Sequence, residues 1–407
     1  MATKKQTHCL FIVSLLFISV FCCTTWAADW PNYRGPGYNG ISQETDWQSD
    51  WGASGPKKLW QKSVGIGFSS TVVADGRAYT MGNTGKKGNL DIVYCFDAKT
   101  GKELWTHTYA CDLAAKYYEG GTLSTPTVDG KRIYTLSKMG DLFCLNAKTG
   151  AVIWQKELNK KLGYKLPTWH LSSSALIIDD MLVVNVGTAG LALNKNTGDL
   201  IWENGKEKCG YATPIAFTME GTPSLAIFAE KSIVAVKQAN GKRIWEYPWV
   251  TKYEVNAADP IITGDKVFIS SGYNRGATLI SVHDDHVHKV WESKVIRTQM
   301  NCVVLWKGYL YGFDEKELKC IHLDSGEEQW SDKSLGKGSL MMSKDERMIL
   351  ISDKGELAVA QADPKAFKVL SRAQVLPKSK CWTSPVLANG RVYVRNAAGD
   401  FACLDLR

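Results

Sequence analysis

The sequence predicts an all-β fold: a single β-propeller of eight four-stranded antiparallel blades, its ring closed by an N-terminal strand that joins the last blade. Three observations predict it. Tryptophans recur at intervals of 39 to 49 residues, an Asx-rich turn with Gly precedes most of them, and a second Gly turn lies inside the intervals.

The tryptophans are Trp60, Trp105, Trp154, Trp202, Trp245, Trp291 and Trp330, spaced by 45, 49, 48, 43, 46 and 39 residues; Leu370, 40 residues further, takes the same place. Units of that length, rich in β-branched and aromatic residues, read as four-stranded blades. The turn before the tryptophan runs Asp97 to Gly101, Asn146 to Gly150, Asn194 to Gly198, Gln238 to Gly241 and Asp324 to Gly326. The second turn, at Asp75-Gly76, Asp129-Gly130, Thr263-Gly264 and Asn389-Gly390, supplies the positive φ of a tight hairpin between alternating apolar runs. Inner hairpins begin near Ser69, Ser124, Ser172, Ala212, Ala258, Asn301, Ser339 and Thr383, which counts eight. The last copy lacks a Trp-ended outer strand, and Lys57 to Val64 has no inner partners of its own, so this strand completes the final blade.

The turns Asp97 to Gly101 and Asn146 to Gly150, with their tryptophans, resemble the tryptophan-docking repeats of the PQQ-like propeller superfamily, which includes quinoprotein alcohol dehydrogenases and BamB-like assembly scaffolds. The resemblance covers about Lys57 to Arg407. It implies that Trp105, Trp154, Trp202, Trp245, Trp291 and Trp330 pack between blades. Residues Trp30 to Gly37 resemble the lead-in of exported PQQ-like proteins, which divides the chain into a signal peptide at 1–27, an irregular lead-in at 28–56 and the propeller at 57–407.

Lys4, Lys5 and the apolar run Leu10 to Cys23 form the signal, with cleavage after Ala27. Phe21 before Cys22 argues against a lipoprotein anchor, and no later run reaches the roughly 18 apolar residues of a membrane span. Loss of Lys4 and Lys5 takes the net charge from +8 to +6, without a basic stripe, so nucleic acid is excluded as a partner and a monomer is expected.

Eight cysteines follow the signal. Cys95, Cys144, Cys320 and Cys403 share one repeat position and read as core; Cys111, Cys209, Cys302 and Cys381 fall outside it. His283, His286 and His288 form a weak metal candidate, since they replace an ordinary hairpin turn.

In a propeller, the residues leading into the innermost strands ring one mouth of the channel. They are Phe68, Leu123, His170, Tyr211, Asn256, Gln299, Lys337 and Trp382, with Glu119, Trp169, Lys208, Glu254, Arg297 and Lys380 just upstream. Aromatic faces, amides and charges converging there suit a planar or sugar-like ligand or a docked peptide.

The expected function is an exported, noncatalytic scaffold or a ligand- and partner-binding propeller of the periplasm or envelope, taking a protein or a glycan at the mouth. Two alternatives follow: a carbohydrate-binding propeller using Phe68, Tyr211 and Trp382 as platforms, and a PQQ- and calcium-dependent alcohol or sugar dehydrogenase. The second comes from the resemblance alone. Glu119, Glu254 or Asp259 would serve as calcium ligand or base, with Trp169 or Trp382 on the quinone, but the adjacent-cysteine pair of such enzymes is missing after the signal.

Overall fold

The computed structural model describes residues 1, 28–52, 54–283 and 286–407, so the signal peptide expected from the sequence lies outside the described residues. Eight antiparallel sheets surround a channel, with almost no helix. Among the described residues no helix is long and apolar enough to cross a membrane.

The innermost strands, blades 1 to 8 in chain order, are Val72–Ala74, Thr127–Asp129, Leu176–Ile178, Ile215–Met219, Ile261–Thr263, Val304–Trp306, Gly338–Ser343 and Val386–Ala388. In seven blades they begin three or four residues later than the sequence indicates, because the preceding residues bond sideways to the next blade. Lys57–Ser63 pairs antiparallel with Asp400–Asp405 and supplies the outer strand of blade 8, closing the ring as expected.

Each outer strand carries a register shift beside the tryptophan place. Trp105 and Trp154 therefore stand opposite Cys95 and Cys144, while Leu104 and Ile153 bulge into solvent. The bulge corrects one assignment: in blade 7 Ser371 faces Val359 in the tryptophan place, and Leu370 is the exposed bulge residue.

The bulge turns each indole toward the neighbouring blade. Trp105 donates to the carbonyl of Ala147 in blade 2 (3.0 Å), and Trp60 bridges blade 8 to Ala98 of blade 1 (3.2 Å). Trp154, Trp202, Trp291 and Trp330 repeat the contact on Lys195, Gln238, Leu323 and Asp363. Gly150 shows why the turn needs glycine: its φ is +74°, and a Cβ would lie 2.5 Å from the Trp105 indole. Trp245 departs from the pattern and donates to Met219 Sδ, since the turn it would meet is the histidine hairpin of blade 5.

The core lies in the seams between blades as successive apolar clusters. Cys95, Cys144, Cys320 and Cys403 are buried opposite indoles, and the eight cysteines from Cys95 to Cys403 are free thiols.

The lead-in is irregular but tightly fixed across the channel end opposite the mouth. Trp30 bridges to Val73 of blade 1, Pro31 accepts from Val128 of blade 2, and Tyr38 accepts from Ile177 of blade 3. Ile41–Ser42 adds a parallel fifth strand to blade 7, and the Glu44 carboxylate accepts the Asn389 and Gly390 amides of blade 8 (2.7 and 2.6 Å).

Candidate functional site

One position repeats just ahead of the innermost strands and builds an arc of hydrogen bonds that follows the channel ring from blade 1 to blade 6. The amide of Ser70 donates to Thr125 Oγ1 (2.9 Å), that of Thr125 to Ser174 Oγ (3.1 Å), and that of Ser174 to Thr213 Oγ1 (3.2 Å). The series continues from Thr213 to Asp259 Oδ1 (2.8 Å) and from Asp259 to Cys302 Sγ (3.2 Å). Each link ties one blade to the next, which explains why these residues do not begin their own blade's ladder. In blade 5 a carboxylate occupies a slot filled in blades 1 to 4 by a hydroxyl.

Asp259 is buried, and its Oδ2 accepts no hydrogen bond. The nearest cation comes from the lead-in: Arg34 Nε lies 3.9 Å away, while the same guanidinium donates to the carbonyls of Tyr38, Asn39 and Val303. Tyr33 reaches Cys302 Sγ at 3.7 Å. Burial raises the Asp259 carboxyl to about 6, with Arg34 and the Thr213 amide pulling the other way.

An acid that holds its proton more tightly when folded adds stability at low pH. That contribution is complete below about pH 4 and is lost as the pH rises through 6. Asp259→Asn removes the titration. The stability difference between wild type and this variant should therefore move against wild type by about 2 kcal/mol between pH 4 and 7. Urea unfolding across that range checks it, and a constant difference would contradict it.

Above the ring opens a cavity of about 310 Å³. Tyr33, Asp259 and the ring hydroxyls form its deep end, and Phe68, Tyr117, Tyr118, Trp169, Tyr211, Tyr273 and Trp382 form its walls. Phe68 and Trp382 stack at 5.1 Å and 23°. Lys337 and Lys380 lie over Trp382 at 4.9 and 5.0 Å, and Lys116 lies over Trp169 at 5.7 Å. Tyr117, His170, Tyr253, Glu254, Tyr273 and Asn274, in the loops on this side, all hold positive φ.

Of the residues expected at the mouth, Phe68, Leu123, Trp169, Tyr211, Gln299 and Trp382 line the cavity. Lys337 sits behind them, bonded to Gln299 Oε1. Glu119 is drawn to Lys380 (3.0 Å). Asn256 is wholly buried, and its amide serves the carbonyls of Ala229, Glu230 and Trp249 and the hydroxyl of Ser271. His170 lies outside the lining, its Nδ1 buried without a partner. Tyr33 and Tyr118 enter the pocket without a sequence expectation, and Asp259 enters it where the sequence offers only a calcium ligand or base. The recurrent Thr-Pro, Asp-Pro and Ser-Pro pairs at Thr125, Thr213, Asp259 and Ser384 are the sequence signal that marks the ring.

The repeat model described as outer membrane protein assembly factor BamB matches residues 89–332. The chain belongs to this BamB family. The BamB proteins of Shewanella oneidensis and Yersinia pestis are each 22% identical to it; the alignments cover 86% and 84% of this chain and 89% and 87% of theirs. The crystal structure of BamB from Moraxella catarrhalis superposes with a TM-score of 0.63 at 16% identity, covering 87% of this chain and 98% of that one. A quinohemoprotein alcohol dehydrogenase from Comamonas testosteroni gives 0.66 at 11% identity over 92% of this chain and 80% of its own, a likeness of fold.

Each of the three carboxylates named for a calcium ion or base faces a cation. Glu119 pairs with Lys380, Glu254 lies 3.7 Å from Lys208, and Asp259 faces Arg34; among the described residues no three His, Cys, Asp or Glu side chains group to hold a metal. In the histidine hairpin, His283 faces His286 across the strands and pairs with Asp265 at 2.9 Å.

Proposed function

We propose that the protein is an exported, noncatalytic scaffold of the cell envelope that works by capturing a ligand or partner at the channel mouth. The observation that carries this reading is the pocket itself: the lead-in reaches its deep end through Tyr33, with Arg34 bonded beneath, and aromatic side chains form its walls. A pre-formed concave site with stacking faces and a few convergent polar groups is built for binding. Relatives described as outer membrane protein assembly factors support a scaffolding role.

Export follows from the n-region, apolar run and cleavage site, which leave the lead-in at 28–56 and the propeller at 57–407 as the mature chain. In support, the Ala28 nitrogen donates to Asn389 Oδ1 at 3.1 Å, so the new terminus would meet an acceptor.

A photocrosslinking amino acid placed at Tyr117, on the lip, and separately at Leu104, on the outer strand of blade 1, tests the reading in cells. Adducts are expected from position 117 well above those from 104, on a protein whose N-terminal sequence starts at Ala28. Equal adduct yields from the two positions would refute capture at the mouth, and a retained N-terminus in the cytoplasm would refute export.

A further inference from the structure

We propose that the channel pocket is a carbohydrate subsite that seats a neutral pyranose ring between its aromatic wall and Asp259. The inference rests on the mouth being the capture face and names the chemistry it captures.

Three buried polar atoms on residues lining the cavity have no hydrogen-bond partner: Asp259 Oδ2, Trp169 Nε1 and Tyr118 Oη. The first, as a carboxylate oxygen, accepts; the second only donates; the third does both. Buried groups of this kind cost stability unless something pairs them, so an occupant that reaches this set gains hydrogen bonds the protein leaves unmade. Such an occupant donates at the deep end and accepts from the indole on the wall. The hydroxyls of Thr125, Ser174 and Thr213 add to the set, since each accepts a neighbouring amide and keeps its own proton to give.

Sugar hydroxyls both donate and accept, and the C–H face of a pyranose packs on aromatic rings such as those of Phe68, Tyr211 and Trp382. A cationic head group would pair with Asp259 but leave the Trp169 N–H without an acceptor. It would also meet Lys116, Lys337 and Lys380, which already lie over the tryptophan rings. An anion reaching the deep end would face the Asp259 carboxylate. The charges of Asp259 and Arg34 offset one another, which leaves a polar and nearly neutral deep end. The volume of about 310 Å³ limits the occupant to a small unit, such as the end or one residue of a glycan, rather than a buried length of chain.

The full mature chain, titrated with the methyl pyranosides of glucose, galactose, mannose and N-acetylglucosamine, provides the test, read by ligand-observed NMR and calorimetry. An N-acetylated tryptophan amide serves as the peptide-like probe. At least one pyranoside is expected to bind saturably. Trp169→Phe keeps an aromatic ring and deletes the indole N–H, and should weaken binding about tenfold, as should Asp259→Asn. Near-UV circular dichroism verifies that both variants are folded.

Absence of saturable pyranoside binding, or binding unchanged in both variants, would overturn the carbohydrate assignment. Exclusive binding of the tryptophan amide would also overturn it and make the pocket a peptide site. Either result leaves capture at the mouth standing if Tyr117 crosslinks, whereas equal adducts from positions 117 and 104 would remove the capture reading itself.

Discussion

Replacing Arg395 by methionine should destabilise the propeller by roughly 3–5 kcal/mol, read as a fall in the urea midpoint at unchanged slope. Arg395 lies in the strand Arg391–Arg395 of blade 8 and is 1% exposed. Its guanidinium crosses the closing seam to donate to the carbonyls of Gly65, Gly67, Ser69 and Met81 and to Thr80 Oγ1, all in blade 1 or the segment leading to it. The two effects of the substitution oppose each other. Methionine relieves the cost of burying a charge, but it strands the Gly65 and Gly67 carbonyls, each worth about 1–3 kcal/mol, while Ser69 and Met81 keep the hydroxyl donors of Thr80 and Thr122. Two stranded carbonyls and the lost cross-seam bonds outweigh one buried cation. A loss below about 1 kcal/mol would mean that the seam is held by the Lys57–Ser63 pairing and the Trp60 dock alone.

Arg34→Met should cost a similar amount at pH 7, roughly 3–5 kcal/mol, and distinctly less at pH 5. The variant leaves the buried Asp259 carboxylate without its nearest cation and removes the donor to Val303 (2.9 Å). Below the raised Asp259 value of about 6 the acid binds a proton and no longer needs a counter-charge, so part of the loss is recovered. Adding Asp259→Asn to Arg34→Met should restore about 1–3 kcal/mol at pH 7 relative to the single variant. A strictly additive pair would show that the lead-in does not set the charge of the channel floor.

The ring architecture was legible because blade repetition leaves marks that local chemistry enforces: an indole, a glycine under it, and an Asx-Gly hairpin. Strand closure could be deduced from one orphan strand and one incomplete blade. Bulges leave no such mark, which is why Leu370 was assigned a place that Ser371 holds. Register names candidates for the mouth, but it does not tell which way a loop side chain turns. Asn256 points into the blade seam, and positive φ at His170 turns that residue out of the lining. The floor was the least legible part. Trp30, Tyr33 and Arg34 act through partners far along the chain, in a segment without periodicity. Asp259 was seen only as a carboxylate available for a cofactor, whereas the arc of hydroxyls at its position explains its place at the centre of the channel.

The central claim is that the lead-in reaches the deep end of the channel pocket and leaves Asp259 there as a shielded acceptor. Titrating the aspartate side-chain carboxyls by carbon NMR, with Asp259→Asn to assign the resonance, tests it most directly. The account predicts a midpoint of about 6 for Asp259 in the wild type and a higher one in Arg34→Met. A wild-type midpoint near the ordinary value of about 4, unmoved by Arg34→Met, would mean that water reaches Asp259 and that the lead-in does not shield it.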